Sequence, residues 1–330
     1  MPFHTSCCTR PFTTLEEKSY ACPLAVPVAS LPEAASDLGP LVRKRVSDEV
    51  LITDWRTVSG TTHHVTAHWP QHHSFYTPRS GRYSSLLLVE TVRQALALLS
   101  NAAYEVPLEY RLGWDYCSCT LTPAMLDTPP DGHGAEVELT ITHALPAARR
   151  KGGSVRLEAQ ITAVRDGQLL GAAHLRYTCH SPAIYERLRG QYADARAATS
   201  HAPLPGTPVP PAHVGRSSAK DVVLCPTAAP RRWQLRVDTD HPVLFDHAHD
   251  HLPGMVLLEA AGQAAHCLAG PDPTTPVTLR TRFTRYTELD APCWIEATPL
   301  EWPQPDLART TITGTQNGQV TFTTQVITRR

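Results

Sequence analysis

The segment HHSFYTPRSGRYSSLLLVETVRQ, from His72 to Gln94, returns as HPVLFDHAHDHLPGMVLLEAAGQ, from His241 to Gln263, and this repetition constrains the fold more than any other feature. Aligned without a gap, His72 pairs with His241, Glu90 with Glu259 and Gln94 with Gln263, a constant offset of 169 positions. A second echo follows in the same order, ITAVRDGQLLGAAHLRYT from Ile161 and ITGTQNGQVTFTTQVITR from Ile312. A unit of this size stated twice is two copies of one domain fused in tandem.

The length, 330 residues, suits two domains that each bury a core of their own. With 30 basic and 31 acidic residues, no whole-surface field favours nucleic acid or an anionic membrane. No apolar run approaches the roughly 18 residues of a membrane span, and MPFHTSCCTRPFTT lacks the apolar centre of a secretory signal, so a cytoplasmic protein is expected. The nine cysteines are odd in number and lack zinc-ribbon spacing. They read as free thiols of a reducing compartment; Cys117 and Cys119 form a CxC that on a strand would put both side chains on one face.

Punctuation divides the chain. Residues 1–40, carrying Pro23, Pro27, Pro32 and Pro40, read as an N-terminal extension, 41–189 as the first repeat, 190–217 as an Ala/Pro-rich linker unable to pack a core, and 218–330 as the second repeat. Val42 to Thr53 and Lys220 to Cys225 read as first strands. Ser84 to Ala103 and Gly254 to Ala269 are helix-forming and apolar on nearly every side, which predicts buried helices. The segments after each helix alternate or are rich in Val, Ile and Thr, and Asp166-Gly167 and Asn317-Gly318 are tight hairpin turns. A strand, a loop, one long buried helix and several antiparallel strands describe a hotdog domain. The expected fold is therefore α+β, a tandem double hotdog, each a long buried helix wrapped by an antiparallel β-sheet. Gly167 lies 77 residues beyond Glu90 but Gly318 only 59 beyond Glu259, so the first copy carries about 18 more, expected around Thr128 to Gly134.

Glu259 and Gln263 share a face of an otherwise apolar helix, and Glu90, Arg93 and Gln94 repeat the arrangement. A buried carboxylate needs partners or rises in pKa, which fits either a satisfied structural group or a tuned acid/base. The loop before the second helix holds Asp246, His247, His249, Asp250 and His251, next to helix N–H groups at Gly254 that can receive an oxyanion. The matching loop of the first copy has Arg79 and Arg82 instead, suited with Arg93 to an anion such as phosphate. HisAlaHisAspHis at 247–251 nearly spells a binuclear zinc motif but is one residue short, and the first copy has no ligand there, so no metal is expected.

The segments AspHisProValLeuPheAspHis (240–247) and AspHisLeuProGlyMetValLeuLeuGluAlaAla (250–261), with TrpProGlnHisHisSerPheTyr (69–76), LeuLeuLeuValGluThrValArgGln (86–94), AspValValLeuCysProThr (221–227) and ArgTrpGlnLeuArgValAspThrAspHisPro (232–242), resemble the A-factor biosynthesis hotdog family, the γ-butyrolactone synthases. The resemblance covers about residues 42–328 and implies an acyltransferase that joins a β-ketoacyl group from an acyl carrier protein thioester to the hydroxyl of dihydroxyacetone phosphate, for a γ-butyrolactone-type, butenolide or furan signal, with no cofactor. The chain departs from that pattern at Gly262, where an Arg usually stands, and at Asn101, often His. The helix motif also resembles hotdog dehydratases acting on carrier-bound acyl groups, in which His247 and Glu259 would be the matching pair.

The expected catalytic group is His247, Glu259, Asp246, Asp250 and Gln263, with His247 or Glu259 as base and Asp246 or Asp250 orienting the histidine. Glu90, Arg93, Gln94, His72, Arg79, Arg82, His251 and Gly254 are the expected substrate contacts. A dehydratase or thioesterase, and a non-catalytic acyl-binding regulator, are the alternatives. Two fused hotdogs supply their own pairing, so the chain is expected as a monomer or homodimer.

Overall fold

A computed structural model describes residues 38–77, 81–144, 153–269, 274–301 and 303–329. Arg79, the expected extension before residue 38, and Cys7, Cys8 and Cys22 within it lie outside the described residues.

The two apolar runs become the long helices. Helices α1 (Gly39–Val42), α2 (Ser85–Ala102), α3 (Pro182–Arg189), α4 (Ala195–Ser200) and α5 (Gly254–Ala269) occur in that order. Ser84 stops the backbone in an extended conformation before α2, and its Oγ accepts from Leu86 N at 3.3 Å, satisfying one of the donors a helix leaves open at its start. Helix α5 begins directly after Pro253. Both bury nearly their whole circumference, including Glu90 and Gln94 on α2 and Glu259 and Gln263 on α5.

Among the described residues, twelve strands wrap these helices: β1 (Ile52–Thr57), β2 (Thr62–Trp69), β3 (Arg111–Leu121), β4 (Ala135–His143), β5 (Val155–Arg165), β6 (Gln168–His180), β7 (Leu224–Pro226), β8 (Arg232–Leu235), β9 (Thr275–Phe283), β10 (Cys293–Leu300), β11 (Leu307–Gln316) and β12 (Gln319–Arg329). In β4, Val137, Leu139 and Ile141 turn inward while Glu136, Glu138 and Thr140 face out, the alternation of a sheet with one wet face. The hairpin turns hold Asp166 at φ 52° with Gly167 at 70°, and Asn317 at 51° with Gly318 at 72°. Two consecutive left-handed residues match the twist of the flanking strands, which is why Asp-Gly and Asn-Gly stand there.

The strands form one sheet in the order β1-β2-β4-β5-β6-β3-β9-β12-β11-β10-β8-β7. The order reads the same from either end once β7–β12 are equated with β1–β6, so a pseudo-twofold axis passes between β3 and β9. Those strands pair antiparallel, Tyr116 opposite Arg282 through Thr120 opposite Thr278. Each would be an open edge in a lone repeat, and the fusion closes both. The chain is a tandem double hotdog. Cys117 and Cys119 both point inward from β3, each 1% exposed.

Four expectations need correction. Most of Val42 to Thr53 is not strand: Pro40 sits in the first turn of α1, a 3-10 turn spans Ser47–Glu49, and β1 starts at Ile52. Likewise a 3-10 turn at Ala219–Asp221 precedes β7. The surplus residues of the first copy are shared among the α2–β3, β3–β4 and β4–β5 connections and the longer α2, β3, β4 and β5, and are not confined to 128–134. The Ala/Pro-rich segment does pack, since Val209 and Val214 join the core and Val209 N bonds Leu224 O at 2.9 Å. Finally, the repeats do not align without a gap, because His241 is matched in space by His73.

Candidate active site

The helix amides and the loop histidines are fasteners. Gln94 Oε1 accepts from Leu51 N at 2.8 Å while its Nε2 donates to Glu49 O at 2.7 Å and to Glu90 Oε1 at 2.9 Å. Gln263 does the same toward Val223 N at 3.0 Å, Asp221 O at 2.8 Å and Glu259 Oε1 at 2.6 Å. Each amide thereby ties a buried helix to the segment entering the sheet, satisfying backbone groups that have no water. His73 Nδ1 accepts from Phe75 N and Tyr76 N at 3.1 and 3.2 Å, and His241 Nδ1 accepts from Val243 N and Leu244 N at 3.2 and 3.1 Å. With Nδ1 accepting, the proton sits on Nε2, 3.4 Å from Glu49 in one copy and 3.2 Å from Asp221 in the other. His72 is exposed and takes no part.

The two helix carboxylates differ in their cations. Arg93 Nε and Nη2 grip Glu90 at 2.8 and 2.7 Å, and Lys44 Nζ stands 3.2 Å away. Burial would raise the Glu90 carboxyl, but the charges of Arg93 and Lys44 overcome it and hold it at about 2. Gly262 occupies the place of Arg93 in the second copy, and Arg216, from the segment between the repeats, supplies the missing guanidinium. Its Nε donates to Glu259 Oε1 at 2.8 Å and its Nη2 reaches Oε2 at 2.5 Å. It also donates to Phe75 O at 2.6 Å and lies over the Phe75 ring at 4.1 Å.

The pseudo-twofold therefore creates two places where a loop of one repeat faces the helix carboxylate of the other, and they have diverged. Around Glu259, Phe75 and Arg216 fill the space and are buried. Around Glu90 a cavity of about 730 Å³ opens, within the range of small-molecule sites. It is bounded by α2, α5, β3 and β9, and α3 forms part of its rim. Leu96, Leu112, Trp114, Met255, Leu257 and Phe283 give it apolar walls.

Two Asp–His pairs stand on that wall. Asp246 Oδ1 lies 2.5 Å from His247 Nδ1, and Asp250 Oδ1 lies 2.9 Å from His251 Nδ1. An ionised carboxylate only accepts, so each Nδ1 carries a proton, and in the neutral ring each Nε2 presents a lone pair. Burial would raise Asp246, yet its bond to His247 and the charge of Lys44 hold it below the usual carboxylate range. Arg45 N adds a contact to Asp246 Oδ2 at 3.3 Å. Asp250 is gripped more firmly, by Tyr185 Oη at 2.6 Å and Arg189 Nε at 2.9 Å, and Arg189 also pairs with Glu288 at 2.6 Å. Despite burial, the bond to His251 and its charge, followed by the bonds from Tyr185 and Arg189, keep Asp250 well below its ordinary value. His249 stacks on His247 at 4.1 Å, and burial, then the charges of His247 and His251, push it down to about 3, so it stays neutral. Asp246, His247 and His249 offer ligand atoms within 4.8 Å of one another, a spacing that also allows a cation. Helix α5 starts at Gly254 on the same wall, with the first amides that a helix leaves open.

Of the residues singled out from sequence, Asp246, His247, Asp250, His251, Gly254, Glu90 and Arg93 share this cavity. Glu259, Gln263 and Gln94 do not line it: Glu259 is neutralised by Arg216, and both amides are occupied by backbone. Arg82 is elsewhere, donating to Pro123 O at 3.1 Å and lying 3.7 Å from Asp127. Sequence reading missed Arg43, Lys44, Arg111, Tyr185 and Arg189, all on the wall. One signal for Lys44 and Arg216 existed, because each precedes its repeat's first buried strand at a matching distance.

The A-factor biosynthesis hotdog domain matches residues 34–181 and again residues 197–329. Curated relatives named 2-oxo-3-(phosphooxy)propyl 3-oxoalkanoate synthase include one from Streptomyces virginiae, 39% identical over 88% of this chain and 96% of its own length. Others come from Streptomyces coelicolor, 40% identical over 86% and 88%, and Streptomyces griseus subsp. griseus, 34% identical over 92% and 96%. Among solved structures, a putative oleoyl thioesterase from Lactobacillus plantarum gives a TM-score of 0.48 at 12% identity, covering 82% of this chain and 97% of that one. With both repeats matched and relatives of this identity along nearly its whole length, the chain belongs to the A-factor biosynthesis hotdog family.

Proposed function

We propose that the chain is a 2-oxo-3-(phosphooxy)propyl 3-oxoalkanoate synthase, transferring a β-ketoacyl group from an acyl carrier protein thioester to the free hydroxyl of dihydroxyacetone phosphate. The observation that carries this reading is the Asp246–His247 pair on the wall of an apolar cavity, beside the start of α5. His247 Nε2 takes the proton of the acceptor hydroxyl as its oxygen attacks the thioester carbonyl carbon. Asp246, kept ionised, fixes the tautomer and balances the imidazolium. The oxyanion of the tetrahedral intermediate is met by the first amides of α5. As the C–S bond breaks, the imidazolium returns its proton to the thiolate, leaving a phosphorylated ester and a free carrier thiol.

His247 is preferred to His251 because Asp250 is committed to Tyr185 and Arg189, and the His251 ring is packed edge-on against Tyr286 at 4.7 Å. Glu90, held at about 2, is too weak a base for a hydroxyl. The acyl tail lies along the apolar wall. The fused β3–β9 pairing supports a monomer, and no described helix is long and apolar enough to cross a membrane. A cytoplasmic site, where carrier-bound acyl groups are made, completes the proposal.

Purified protein incubated with a β-ketoacyl thioester, with and without dihydroxyacetone phosphate, tests this by mass spectrometry. Phosphorylated ester that requires both substrates is the expected product. Free acid or dehydrated thioester formed regardless of acceptor would replace the transferase reading with a hydrolase or dehydratase, and unchanged thioester with an acyl-binding protein.

A further inference from the structure

We propose that Arg43 and Arg111, with Arg93 behind them, form the seat for the acceptor's phosphate, a role that Arg79 and Arg82 hold in the sequence reading alone. The inference rests on the proposed transferase and names its anion subsite.

Arg43 is held in place while part of its guanidinium remains unused. Its Nη2 donates to Leu108 O at 3.1 Å and Tyr110 O at 2.8 Å, whereas its Nε is buried with no partner. A buried N–H without an acceptor is costly, on the order of 1–3 kcal/mol, and charged groups cost more. Arg43 ends α1 in a left-handed backbone conformation, φ 58°, and stands on the cavity wall. Arg111 opens β3 on the same wall, opposite His180 on β6.

Neither arginine has a carboxylate partner among the described residues. The wall's acids are committed elsewhere: Glu90 to Arg93 and Lys44, Asp246 to His247, Asp250 and Glu288 to Arg189, and Asp115 to Arg156 at 3.8 Å. Burial is the main cause that depresses the Arg43 guanidinium; the nearby Cys179 acts the other way, and the charges of Arg111 and Arg93 lower it further. A phosphate dianion supplies the missing charge and accepts from a guanidinium fork. Arg43, Arg93, Arg111 and His247 line the same cavity, so the seat and the general base face one space. The phosphodiester of a carrier's pantetheine arm offers related chemistry, and the assay must separate the two.

The test measures binding of inorganic phosphate and dihydroxyacetone phosphate to the full chain by calorimetry, together with steady-state kinetics. Arg43→Gln and Arg111→Gln are each expected to weaken phosphate binding by roughly 10- to 100-fold. KM for dihydroxyacetone phosphate should rise by a similar factor, and by more than KM for unphosphorylated dihydroxyacetone. Because Arg43 also anchors two carbonyls, Arg111→Lys, which keeps the charge, serves as a second variant and should retain most of the phosphate affinity. Phosphate affinity unchanged in folded Arg43→Gln and Arg111→Gln proteins overturns the proposal. So does a rise in KM for a phosphopantetheine thioester, but not for an N-acetylcysteamine thioester, with acceptor KM untouched. If no ester forms at all, loss of phosphate binding in both variants still supports the seat, so its fate is separable from that of the transferase reading.

Discussion

Arg216 stands to Glu259 as Lys44 stands to Glu90: each reaches its helix carboxylate from the segment ahead of a repeat's first strand, at 2.5 and 3.2 Å. The first copy adds Arg93, one turn along α2, where the second has Gly262. A lysine needs help to satisfy both carboxylate oxygens, whereas the forked Arg216 covers them alone. The departure at 262 thus removes a guanidinium from the helix without leaving Glu259 uncompensated.

Arg216→Ala strands a buried carboxylate, and a loss of about 3–5 kcal/mol is expected. Glu259→Gln leaves the buried Arg216 guanidinium uncompensated and should also destabilise, and the double substitution should recover part of the loss. Chemical denaturation of the four proteins completes the cycle. Activity per folded molecule should survive Glu259→Gln, and its loss would return Glu259 to the chemistry.

His247→Ala should lower kcat by about 100-fold or more with the fold intact. Asp246→Asn leaves a side chain of the same shape that no longer holds the Nδ1–H tautomer, and should show a loss of the same order. His251→Ala should cost less. Equal losses for His247 and His251 would mean that both pairs act in turnover.

Acid stability should begin to fall well above the carboxylate range. Burial holds His143 at about 3 against an ordinary 6.5, so below pH 6.5 the unfolded chain takes a proton that the folded chain refuses. Stability is then lost progressively as pH falls from 6.5 toward 3. Glu90, also depressed, adds a loss that starts near 4.5 and runs toward 2. Melting temperatures between pH 7.5 and 5 should decline less steeply for His143→Gln than for the unaltered protein. Parallel curves would assign that slope to other groups.

Cys117, Cys119 and Cys293 are buried, and burial raises all three thiols, the last two to about 12. Neutral and covered, they should resist iodoacetamide in the native protein and react only on unfolding. Peptide mapping after native labelling tests this, with modification of Cys117 or Cys119 the adverse result.

The duplication, the buried helices and most strands were legible because each rests on local pattern: a period of 3.6 for α2 and α5, of 2 for β4, and paired left-handed turn residues at 166–167 and 317–318. Strands β2, β3 and β8 were passed over. His72 was chosen over His73 because a gapless alignment hides a one-residue slip in a loop, where no periodic pattern fixes register. The acidic and histidine loop was visible as composition, and its Asp–His pairing followed from adjacency in the chain.

The sequence by itself determined two hotdog repeats and the polar residues that recur in them, since both depend on short-range pattern. Only the tertiary structure decided which of those residues meet. Antiparallel pairing of β3 with β9 sets the loop of the second repeat over the helix of the first, which opens a cavity at Glu90. Phe75 and Arg216 close the equivalent place at Glu259. The same pairing separates Glu259 from His247 and brings in Arg43, Tyr185 and Arg189 from segments with no motif. Charge compensation is a three-dimensional sum, and no spacing along the chain reveals which cation a buried carboxylate will find.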